Sequence, residues 1–106
     1  EALLSRVITR DLLKQDYDYW TAELKKINGK KQVVGGEPLT VEEACLRVSQ
    51  QKSVMCRNEA AAWYIIIANR YFNAVGPEKH DDDYYSHYHP TRNHTGYLSV
   101  HIWFFD

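Results

Sequence analysis

A chain of 106 residues with 44% hydrophobic and 25% charged side chains has the size and composition of one globular domain, spanning residues 1–106. Its 13 basic and 14 acidic side chains leave a formal net charge of −1, so no global field marks it for a polyanion or a membrane surface, and any nucleic-acid contact must be local. The longest apolar run, Ala60 to Ala68, is roughly half of the ~20 residues that cross a bilayer, and no signal-peptide pattern opens the chain.

The first residue is Glu1 rather than methionine, the expectation for a piece of a longer protein or a processed product. From Ala2 to about Lys26, apolar side chains recur at three- and four-residue steps: Leu3, Leu4, Val7, Ile8 and Leu12, then Tyr17, Trp20, Leu24 and Ile27. That spacing predicts one long helix or two short ones, with Asp16-Tyr17-Asp18 as the interruption. Lys25-Lys26, Asn28-Gly29 and Lys30-Lys31 supply basic residues and a turn signal to end it, and Gln32-Val33-Val34 allows a short strand.

Thr40-Val41-Glu42-Glu43 has the form of a capping box and predicts a helix to about Gln51, with Val41, Ala44, Cys45 and Val48 as its buried stripe. A third helix is expected from Asn58 to about Phe72. Its apolar centre, Ala60 to Ala68, would be covered on most sides, although Trp63 to Ile67 also has strand propensity. Gly76-Pro77 breaks the pattern and Glu78 to Asp83 reads as a polar loop. Cys45 and Cys56 are too few and too far apart for a zinc knuckle. A single disulfide and two buried thiols are both open to them.

Four of the five histidines fall in the last segment. Tyr84 to His89 and Tyr97 to Phe105 read as the strands of a hairpin turning near Asn93 and Gly96. Alternation places Tyr85, His87 and His89 on one face, with Tyr97, Ser99, His101, Trp103 and Phe105 on the same face of the second strand. Leu98, Val100, Ile102 and Phe104, with Tyr84 and Tyr88, form the opposite, apolar face. With the turn at Asn93, Tyr85 would lie opposite His101 and His87 opposite Ser99. The histidine face would be an open surface.

Imidazoles clustered on one face suit two chemistries. Cleavage of RNA through its own 2′-hydroxyl needs a base, an acid and a cation, and histidines titrating near neutrality supply the first two. Arg92, Lys79 or His80 would contact phosphate, and Tyr85 and Trp103 would stack a base beside Ser99. Alternatively, His-x-His on a strand with a third histidine nearby is a common way of offering three ligands to zinc, with Asp81 to Asp83 as possible oxygen donors. A third, non-enzymatic reading has the strand Trp103-Phe104-Phe105 augmenting a partner's sheet.

The order Pro77-Glu78-x-His80, His87-Tyr88-His89-Pro90, a turn, and His101-Ile102-Trp103-Phe104 resembles the C-terminal toxin domains of bacterial polymorphic toxin systems, contact-dependent growth inhibition among them. A weaker echo lies at Cys56-Arg57-Asn58-Glu59-Ala60. The resemblance implies a domain carried by a large secreted protein, acting in the target-cell cytoplasm and neutralised by a cognate immunity protein. Many such domains are metal-independent ribonucleases of the barnase/EndoU-like group, with N-terminal helices before a small antiparallel sheet that carries the catalytic residues. That group builds its sheet from more strands than the two legible here. The expectation is therefore an α+β domain with N-terminal helices packed on a small C-terminal antiparallel sheet. Its activity would be that of a ribonuclease on tRNA or another structured RNA, without metal or cofactor. His87, His89 and His101 would be catalytic; Arg92, His80, Tyr85, Trp103 and Ser99 would bind substrate. The alternatives are a zinc-dependent hydrolase built on the same histidines, or an interaction module.

Overall fold

The structure, a computed structural model, describes residues 11–27, 29–69, 74–78, 85–91 and 100–105. The expected helix over residues 2–10, the polar loop 79–83, Tyr84 and the hairpin turn with Tyr97 to Ser99 lie outside the described residues.

The fold is α+β: among the described residues, two helices lie on one face of a six-stranded mixed sheet. A short 3-10 turn, Asp11–Lys14, leads into strands β1 (Tyr19–Ile27) and β2 (Lys30–Leu39). Helix α1 (Val41–Ser49), strand β3 (Val54–Cys56) and helix α2 (Glu59–Ala68) follow. Strands β4 (Ala74–Glu78), β5 (Ser86–Pro90) and β6 (Ile102–Phe104) complete the sheet in the order β2-β1-β3-β6-β5-β4. All neighbours are antiparallel except β3 and β6, which run parallel. Among the described residues, no helix is long and apolar enough to cross a membrane.

The α+β class agrees with the sequence reading, but the N-terminal half departs from it. Residues 19–27, read as a helix, form the long strand β1. The apolar positions Trp20, Ala22 and Leu24 alternate as well as they step by four, and pairing decides between the two periods. Ile27 pairs with Lys30 across a two-residue connection in which Gly29 has φ +81°. Asn-Gly between two strands is a hairpin signal, because the turn that matches strand twist needs positive φ. Read as a helix stop, it left only Gln32-Val33-Val34 visible of the ten-residue strand β2.

The capping box at Thr40 forms as expected. The Thr40 amide donates to Glu43 Oε1 at 2.9 Å, and the Glu43 amide donates to Thr40 Oγ1 at 3.1 Å. Thr40→Ala is expected to cost about 1 kcal/mol, read as a lower urea midpoint with an unchanged slope. Asn58 caps α2 by accepting from the Ala61 amide at 2.8 Å. The helix wins over a strand at Trp63 to Ile67, but it is covered on one side only. Ala62, Ile65 and Ile66 are buried, while Tyr64 and Ile67 are 60% and 63% exposed. A helix lying on the outside of a sheet covers one stripe, whatever its remaining composition.

The sheet is buried on both faces. Toward the helices, Tyr19, Val54, Cys56, Tyr88, Ile102 and Phe104 pack against Ala44, Val48, Ala62, Ile65 and Ile66. The even-numbered side of β6 thus anchors the helices, as its pattern predicts. Tyr88 donates to Glu59 Oε2 at 2.7 Å, tying β5 to the start of α2. Burial, and then that carboxylate, push the phenol pKa up, so Tyr88 stays a donor. Cys45 and Cys56 are both free thiols, which settles the disulfide question.

On the opposite face Trp20, Ala22, Val33, Met55, Tyr85, Trp103 and Phe105 form a second apolar layer with Leu12 of the 3-10 turn. Arg57 holds this turn in place. Its guanidinium donates to the carbonyls of Leu13, Gln15 and Tyr17, and its carbon lies 5.5 Å from the Trp20 ring centre. The Trp20 indole N–H donates to Gln15 Oε1 at 3.2 Å.

Candidate functional site

Strands β5 and β6 bring the histidines together, though not in the expected register. His87 pairs with Trp103 and Tyr88 with Ile102, an offset of four residues from a hairpin turning at Asn93. Because side chains alternate with period two, an even slip leaves every residue on its face. The three imidazoles therefore gather as the alternation predicts, while Tyr85 no longer opposes His101, nor His87 Ser99.

The ring centroids of His87, His89 and His101 form a nearly equilateral triangle. His87 lies 4.9 Å from His89 and 5.0 Å from His101, and His89 lies 4.4 Å from His101. One nitrogen from each ring falls within 4.8 Å of the other two. The rings are mutually inclined by 57° to 88°, so their edges converge on a shared space rather than stacking.

The strands fix each ring in a different way. His89 Nδ1 lies 3.2 Å from the Val100 carbonyl oxygen. A carbonyl only accepts, so Nδ1 carries the proton and, in the neutral ring, Nε2 presents its lone pair. The backbone of His101 is held to the β3 side, its amide donating to Ser53 Oγ at 3.0 Å and its carbonyl accepting from the Val54 amide at 3.3 Å. The indole of Trp103 lies parallel to the His101 ring, 4.7 Å away and 10° inclined, and meets the His87 ring at 6.2 Å.

The histidine face is not the open surface that an isolated hairpin would give. His87 is 1% exposed and His89 6%, with His101 the most open of the three at intermediate burial. Stacking of a base on Tyr85 or Trp103 is also overturned. Tyr85 is 5% exposed and packs edge-on against Phe105; Trp103 is 2% exposed and its face is taken by His101. Sheet augmentation by Trp103-Phe104-Phe105 fails for a topological reason, since β6 is already paired on both sides, with β3 and β5. His80, Arg92 and Ser99, together with Lys79 and Asp81 to Asp83, lie outside the described residues.

Two contributors to the site went unnoticed in the sequence. The Val100 carbonyl is a backbone group and leaves no trace in residue type. Ser53 lies 48 positions from His101, and only the parallel pairing of β3 with β6 brings them together.

Fold and site together define an α+β domain with a convergent, largely buried three-histidine cluster on the sheet face away from its helices. Comparison of the chain with protein-family models, curated proteins and solved structures finds no match in any of the three.

Proposed function

We propose that this domain is a ribonuclease of the bacterial toxin type whose reaction centre is the cluster of His87, His89 and His101. The observation that carries the reading is the convergence of three ring nitrogens within 4.8 Å of one another. The sequence resemblance supplies the substrate class, a structured RNA such as tRNA. It also supplies the biological setting: delivery as part of a larger secreted protein, action in the target-cell cytoplasm and neutralisation by an immunity protein.

His101 is the point of approach for substrate, being more open than its two neighbours. His87 and His89 act from behind it, through imidazole chemistry available at neutral pH. The test is induction of the domain in a bacterial cytoplasm with electrophoresis of total RNA, alongside incubation of purified protein with tRNA. Growth arrest with discrete RNA fragments is the expected result. Intact RNA in both assays, from protein shown to be folded, overturns the reading.

A further inference from the structure

We infer that His87, His89 and His101 form a zinc-binding site, in which His89 coordinates through Nε2 and the fourth position opens on the His101 side. The inference rests on the reaction centre of the proposed ribonuclease and gives the three histidines the role of metal ligands in place of acid and base, so that proton transfer would fall to metal-bound water; its evidence is geometric and independent of RNA.

Three imidazoles crowded into one space need an explanation. His87 and His89 are almost wholly buried, His101 stands at the edge, and one nitrogen of each ring lies within 4.8 Å of the other two. A divalent cation makes that crowding favourable. No carboxylate or thiolate joins the group among the described residues, so the donor set is three neutral nitrogens. Imidazole donors suit zinc, and three histidines with one open position are a known catalytic arrangement for it.

The dimensions fit. Tetrahedral zinc with Zn–N bonds of ~2.0–2.1 Å sets its nitrogens about 3.3 Å apart. The ring nitrogens here all lie within 4.8 Å of one another, so each pair has at most about 1.5 Å to close. The outer contacts are those that metal-binding histidines use. His89 Nδ1–H donates to the Val100 carbonyl, which sets the tautomer that leaves Nε2 unprotonated. His101 is held in plane by the Trp103 indole. Burial differs among the ligands as an open site requires, two being enclosed and one at the edge. Zinc bound there supplies Lewis-acid polarisation and activation of water.

The test uses the 106-residue chain, stripped of metal with a chelator and titrated with Zn²⁺ alone, then with Co²⁺ as a spectroscopic probe. One Zn²⁺ per chain is expected, with a raised melting temperature and the intense visible absorption of four-coordinate Co²⁺. His101→Ala, the substitution at the most open ligand, should weaken Zn²⁺ binding by more than the roughly 10–100-fold that loss of an outer-shell partner costs. His89→Gln serves as the second variant if the first loses its circular dichroism. Folded wild-type protein that neither retains Zn²⁺ nor melts higher in its presence overturns the inference, as does wild-type affinity in both folded variants. The two proposals fail separately. RNA cleavage persisting in EDTA without Zn²⁺ binding removes the metal and keeps the ribonuclease, whereas stoichiometric Zn²⁺ with intact RNA does the reverse.

Discussion

On the ribonuclease reading proposed above, with the histidines as acid and base, replacing His87 by alanine is expected to lower RNA cleavage by about 10²–10⁴-fold, the range by which a positioned proton-transfer group accelerates a reaction. His87 is the most buried of the three, 1% exposed, with its ring against both other imidazoles and the Trp103 indole. Groups that act as one unit lose their effects non-additively. His87→Ala, His89→Ala, His101→Ala and the triple variant should therefore fall to nearly the same residual rate. Initial rates on a defined RNA, with circular dichroism of each variant, provide the measurement. Single-variant losses that multiply in the triple variant would show three separate roles rather than one centre. A folded triple variant that cleaves normally would remove the cluster from the chemistry altogether.

Trp20→Ala should produce the largest loss of stability, about 3–5 kcal/mol, as expected for a buried tryptophan cut back to a methyl group. Trp20 is 0% exposed. It meets Phe105 edge-on at 6.2 Å, shares its layer with Leu12 and Met55, and donates to Gln15. Its loss opens a cavity and also frees the clamp that Arg57 forms over the 3-10 turn. For a domain of this size each kcal/mol moves the melting temperature by roughly 4–8 °C, so a fall of tens of degrees is expected. Trp20→Phe keeps the apolar bulk and should recover much of it. A drop of only a few degrees in Trp20→Ala would mean that the face away from the helices is not a true core. The histidines would then sit on a loosely covered surface.

What the sequence disclosed depended on the range of the interaction responsible. The capping box at Thr40 and the helix it starts were legible because both partners lie within one turn. So was the shared face of His87, His89 and His101, because alternation survives any even register shift. The register itself was not legible, being set by pairing on both sides of β5 and β6 rather than by their own turn. Strand β3 has only three residues and acquires its identity from β1 and β6. Strand β1 was misread because its apolar positions satisfied two periods, and the deciding partner, β2, lay beyond an Asn-Gly pair interpreted as a helix stop. The burial of the histidine face was hidden for a related reason. The aromatic neighbour of the cluster, Trp103, belongs to an apolar layer with Leu12, Trp20, Met55 and Phe105, most of which lies far back in the chain.

The place of β6 in the sheet has a consequence for how the site comes into being. Strands β1, β2 and β3 form one paired set and β4 with β5 another, and among the described residues β6 is the only strand that pairs with both. The two sets can each pair within themselves, but the sheet is not continuous between them until β6 joins both. That insertion pairs Val54 with Ile102, a contact between distant parts of the chain and so a slow one to find. His87 and His89 belong to one set, while His101 immediately precedes the joining strand. Completion of the sheet and assembly of the three-histidine centre are therefore a single event, and a partly made chain has neither.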